Sequence, residues 1–194
     1  MWGAGKFVGK QAGNLRAVGR KDDADKVIAE FLIKVFQEFK NEPENPWHLS
    51  FLTDIALQLG GLEAGKKTLE SVIEGNDYLS LDLTVVYTDL GRIYHQLGTD
   101  PRRELWCYEM AAEAKAPLGC KFPATSQEKA IAHHFAYFVA IRLASHSHNR
   151  KDSHWKVAEW HTRRRRELVP EVNWDDSSQT GKFIQEVRRN GLSK

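Results

Sequence analysis

Two Leu-Gly pairs, Leu59-Gly60 and Leu97-Gly98, stand 38 residues apart, and each closes a stretch whose apolar residues recur at helical spacing. That interval is close to the length of repeats built from two antiparallel helices. No run of alternating apolar and polar residues is long enough for a sheet, so an all-α chain is expected. From 23 to 40, Val27, Phe31, Val35 and Phe39 recur every four residues, with Pro43 and Pro46 beyond as stops. Further helices are expected over 46–59, 62–74, 81–97, 101–115, 126–145, about 152–168 and 178–190. Gly60, Gly61, Gly75, Gly98 and Pro170 punctuate them, and Thr125 with Glu128 reads as a capping box. The expected architecture is an α-solenoid of two to four helix hairpins with a short C-terminal helix as lid, since an end repeat would otherwise expose its apolar face. Residues 1–21 form a basic arm in this reading, and 22–194 a single domain.

The stretch YTDLGRIYHQLG resembles the first helix of a tetratricopeptide repeat, with Tyr87 at the usual Trp position followed by Leu90, Gly91, Tyr94, Leu97 and Gly98. With one extra residue near Pro101, Tyr108 and Ala111 fall on the aromatic and small positions of the second helix, whereas Glu104 replaces a small residue. Gly91 would let two helices approach closely, with Tyr87 and Tyr94 filling the space around it. The preceding hairpin fits at Leu52, Leu59, Gly60 and Gly65, with Thr53 and Ala56 in place of Gly and Tyr. The pentatricopeptide class shares this length and hairpin shape. In size and repeat class the chain is also similar to the extra helical-repeat subunit of the euglenozoan mitochondrial F1-ATPase. Such resemblances imply a protein that holds another macromolecule, here the protein subunits of a larger assembly such as ATP synthase.

Charge points to where a partner would be held. Residues 1–21 carry Lys6, Lys10, Arg16, Arg20 and Lys21 and no acid, so of a net +2 this segment supplies +5 and the remaining chain is −3. Basic, acid-free and dotted with apolar residues, the segment resembles a mitochondrial targeting sequence, although five glycines and no serine favour a retained arm. A mitochondrial location is expected, with the cytoplasm as the alternative. Arg163, Arg164, Arg165 and Arg166 form the second basic feature. At about 100° per residue, four consecutive arginines surround a helix and leave no face for an apolar neighbour. They read either as a solvated helix end or as a dock for carboxylates or phosphates. RNA is the rival partner, with Trp160 or Trp174 as exposed aromatics for stacking. Two or three repeats would read too few bases, and the mildly acidic body is a poor footprint for phosphates.

Other classes find little in the residues. The longest apolar run, 130–144, includes His133, His134 and Arg142, and no membrane span is expected. Cys107 and Cys120 without a secretory signal fit a reducing compartment. His146, His148, His154 and His161 lack metal-chelating spacing, since His154 and His161 are seven residues apart with no carboxylate or thiol to complete a site. GAGK near the N-terminus lacks the full phosphate-loop frame, and no G-x-S-x-G occurs. Adjacent His133 and His134 must point in different directions, at least one as a hydrogen-bonded packing residue. The expected function is therefore a non-catalytic adaptor or accessory subunit with no cofactor and no metal.

Overall fold

The computed structural model describes residues 2–41, 47–75, 81–146 and 153–192, and every regular element among them is an α-helix. They are α1 (Trp2–Ala17), α2 (Lys21–Asn41), α3 (Trp47–Leu59), α4 (Leu62–Glu74), α5 (Thr84–Leu97), α6 (Pro101–Glu113), α7 (Ser126–Ser145), α8 (Ser153–Leu168) and α9 (Ser177–Leu192). Among the described residues no helix is long and apolar enough to cross a membrane.

The helix ends follow local chemistry. Gly60 (φ +83°) and Gly98 (φ +64°) turn the chain in the left-handed region that a side chain would strain, and the Gly98 N–H donates to the Tyr94 carbonyl. Asp100 caps α6 by accepting from the Arg102 and Arg103 backbone N–H groups at 3.1 and 2.9 Å, with Pro101 in the first turn, where no N–H is needed. At α7 the box closes in both directions: the Thr125 hydroxyl accepts from the Glu128 N–H at 3.2 Å and the Glu128 carboxylate accepts from the Thr125 N–H at 2.6 Å.

Residues 2–17, expected as an arm outside the core, form α1 and pack on α2 and α3. Val8, Ala12 and Leu15 make a narrow stripe at helical spacing, with Ala12 buried against Ala24, Ile28 and Leu32. Glycine helps here, because a Cβ on Gly9 would lie 2.9 Å from Leu59 Cδ2. The same glycines dilute the apolar pattern, which is why the stripe is inconspicuous in the sequence.

Each helix from α1 to α8 packs on its chain neighbour, and the odd-numbered helices α1, α3, α5 and α7 also touch one another in succession. The chain then returns, and α9 lies against α3 and α7. One apolar cluster joins α1, α2 and α3; a second joins α3 through α6 around Leu69, Leu90 and Ile93; a third joins α6, α7 and α8 around Tyr108 and Ala140. Gly91 sits at a close approach of α5 and α6, where a Cβ would be 2.6 Å from Tyr108 Cε1. Tyr108, rather than Tyr87 and Tyr94, fills the space around Gly91. Tyr87 stands edge-on to Trp106 at 5.6 Å, and the Tyr94 hydroxyl donates to Glu70 at 3.0 Å. Leu90 and Ala111 are fully buried and Leu97 packs at the edge of the second cluster.

Candidate functional site

Because the odd-numbered helices touch in succession, α3, α5 and α7 share one side of the molecule, and two recesses lie on that side. The first is lined in part by α9. Ser50 of α3, Thr84 and Asp89 of α5, Ile131 of α7 and Val187 and Arg188 of α9 surround a space of about 30 Å³. The second, about 250 Å³, lies between Leu57 of α3, Arg92 and His95 of α5, Glu104 of α6, and Phe138 and Arg142 of α7.

A charge network connects the two recesses. Arg92 donates to Asp89 at 2.8 Å and to Asp54 at 3.0 Å, while Arg188 donates to Asp54 at 2.8 Å, to the Ser50 hydroxyl at 3.1 Å and to Asp89 at 3.3 Å. Burial opposes the Arg92 charge, but the Asp89 and Asp54 carboxylates outweigh it and raise its pKa. Asp89 is only 1% exposed, and its Oδ2 and the buried Thr84 hydroxyl have no hydrogen-bond partner. At the far end the buried Glu104 accepts from His95 Nδ1 at 2.9 Å and from the Arg142 guanidinium. A carboxylate therefore fits where the sequence resemblance leads one to expect a small residue, because His95 of α5 and Arg142 of α7 meet it. Phe138 projects beside them with 54% of its surface exposed.

The arginine run is divided. Arg165 is 2% exposed, so the expectation that the run leaves no face for a neighbour does not hold. Ala158, His161 and Arg165 form the buried stripe of α8, three and four residues apart, and the spacing carries the third arginine inward. Its guanidinium donates to His134 Nδ1 at 2.9 Å and stacks over Tyr137 and Trp174, with centroid distances of 4.4 and 5.6 Å. Burial lowers its pKa. The other three reach nearby acids: Arg164 to Glu167 at 2.5 Å, Arg166 to Asp175 at 2.8 Å, and Arg163 to Glu167 at 3.8 Å. Trp174, expected to be exposed, is buried and donates its indole N–H to the Val169 carbonyl at 3.1 Å. Trp160 stands edge-on to His133.

The basic N-terminal residues are similarly engaged in part. Arg16 pairs with Asp25 at 2.9 Å and Arg20 with Asp23 at 2.6 Å, while Lys10 is exposed. The Lys6 side chain lies outside the described residues, as do Pro43, Pro46 and His148. The two groups of cations proposed from sequence are therefore on different helices, and neither lines the recesses on α3, α5 and α7.

Both adjacent histidines of α7 are buried and hydrogen-bonded. His133 Nδ1 faces His161 Nδ1 at 2.8 Å, so one ring donates and the other accepts, and His161 Nε2 is 3.8 Å from Glu109. His134 accepts from Arg165 and must be unprotonated at Nδ1. Burial first, and then the neighbouring cations and His161, hold His133 down at about 3; burial and Arg165 hold His134 at about 4. Burial pushes the Cys107 thiol up to about 12, so it is a packing residue rather than a nucleophile at neutral pH. No group of three or more His, Cys, Asp or Glu among the described residues is arranged to hold a metal ion.

Sequence reasoning missed Asp54, Asp89, Arg92, Arg142 and Arg188. A signal was present, because Asp54 and Asp89 interrupt apolar stripes of α3 and α5 and a charge on a core face needs a partner. Comparison of the chain with protein-family models, with curated proteins and with solved structures finds no match.

Proposed function

We propose that this chain is a non-catalytic helical-repeat adaptor, of the tetratricopeptide or pentatricopeptide kind, whose α3–α5–α7 side holds a segment of a protein partner within a larger assembly. The observation that carries this reading is the succession of contacts among α1, α3, α5 and α7, as expected of a stack of helix pairs with one helix of each pair on a common side. On that side the larger recess combines an exposed aromatic ring with charged groups of both signs from three helices, a mixture suited to a protein surface. The polar groups there are tied to one another in ion pairs, which suits recognition better than proton transfer to a bound substrate.

RNA is the weaker reading. Arg165 and Trp174 are buried, and Arg164, Arg166, Arg16 and Arg20 already face carboxylates, so most arginines of the two basic segments are engaged within the chain. Nuclease treatment of the assembly isolated from its native source is expected to leave the chain associated. Release by nuclease, or micromolar or tighter binding of the purified chain to RNA near physiological salt, would promote the RNA reading instead.

A further inference from the structure

Alone among the described helices, α9 departs from the order of chain-neighbour packing. It touches α3 and α7, far back in the sequence, and reaches α5 through Arg188. Its Ile184 and Val187 line the smaller recess, and Arg188 enters the acidic pair Asp54 and Asp89. The fit is incomplete. Arg188 reaches Asp89 only through Oδ1, at 3.3 Å, although a guanidinium can bind a carboxylate through two parallel hydrogen bonds. Asp89 Oδ2 and the Thr84 hydroxyl, both about 99% buried, stay unpartnered at the same recess. Without Arg188, two carboxylates would face the single cation Arg92.

We propose that the recess that α9 lines is an arginine-reading site for an amphipathic helix of the partner, and that α9 is its built-in occupant, displaced when the partner binds. The site takes a helix with apolar residues at three- and four-residue spacing followed directly by an arginine, as Val187 is by Arg188. A partner arginine that engages both oxygens of Asp89 satisfies the group that α9 leaves open, and this difference is what favours exchange. Covalent attachment gives α9 a high effective concentration, so the site is closed until such a helix is presented. The inference rests on the reading of the α3–α5–α7 side as the partner site and adds the chemistry of the partner and a means of regulation.

The test uses the full chain and, as probe, a fluorescent synthetic peptide of residues 177–192, read by anisotropy. The Arg188→Ala chain is expected to bind the peptide at least tenfold more tightly than the unmodified chain. Adding Asp89→Asn should remove the gain, and a peptide carrying Arg188→Ala should bind neither chain. Equal binding to both chains, or binding indifferent to the peptide arginine, overturns the proposal. If circular dichroism shows the Arg188→Ala chain unfolded, the unmodified chain decides: excess peptide should accelerate amide hydrogen exchange in α9 and not in α5, and unchanged α9 exchange overturns the proposal. These outcomes are separate from that of the adaptor reading, which depends on association of the unmodified chain with its native assembly.

Discussion

Replacing Gly91 with leucine is expected to lower the melting temperature by roughly 10 °C. The estimate combines about 3 kcal/mol for forcing a branched side chain into a closed contact with a shift of roughly 2–4 °C per kcal/mol in a chain of this length. The contact is closed because Tyr108 cannot retreat. Its ring is 2% exposed and lies against Phe135 at 5.3 Å, while the position of a Cβ on Gly91 is 2.6 Å from Cε1 and 2.8 Å from Cζ. Alanine separates sterics from helix propensity. In an open helix Gly→Ala adds about 1 kcal/mol of stability, whereas at this position the methyl itself collides and a net loss is expected. Thermal denaturation followed by circular dichroism checks both, and an unchanged or raised midpoint for Gly91→Leu would show that α5 and α6 do not meet there.

Acid should weaken the fold at a pH well above the usual carboxylate range. His133 and His134 are buried and neutral, with pKa values of about 3 and 4 against 6.5 for the free side chain. The unfolded chain therefore binds more protons than the folded one between these limits. The associated stability is fully present above pH 6.5 and is lost as pH falls toward 4 and then 3. Between pH 7 and pH 5 each histidine should withdraw about 2 kcal/mol, together on the order of 4 kcal/mol. Protonating His134 would also turn the acceptor of Arg165 into a second cation beside a buried guanidinium. Urea denaturation midpoints at pH 7, 6 and 5 should fall steadily, with the steeper step below 6. A flat profile over that range would mean that the two rings are open to solvent.

Helix ends are the part of the structure most legible in the sequence, because capping is local. Thr125 with Glu128, and Gly60 and Gly98, mark ends that the structure reproduces, and α4 and α7 run over the expected 62–74 and 126–145. The contact of α5 with α6 was legible too, since Gly91 and Tyr108 fall on the two helices of one expected hairpin. What fills the space beside Gly91 was not, because Tyr87 and Tyr94 are nearer in sequence and equally aromatic. Arg165 was misread for a different reason: a run of four identical charges has no periodicity of its own, and its register is set by Ala158 and His161 before it.

The recesses on α3, α5 and α7 were the least legible feature. Arg188 meets Asp89 across 99 residues and Asp54 across 134, and no local pattern records where a C-terminal helix returns. Asp89 and Arg92 nonetheless lie inside the same motif as Tyr87, Leu90, Gly91 and Tyr94. The motif residues pack the helices, and the charged residues between them face the groove.

That the chain holds its partner on the α3–α5–α7 side is tested most directly by a matched pair of surface changes. Phe138 at the larger recess and Ile33 on α2 are each 54% exposed, so aspartate at either should be tolerated about equally by the fold. Incorporation of each variant into the native assembly, measured against the unmodified chain, should fall at least tenfold for Phe138→Asp and stay unchanged for Ile33→Asp. Full incorporation of Phe138→Asp, or an equal loss for both, would contradict the account.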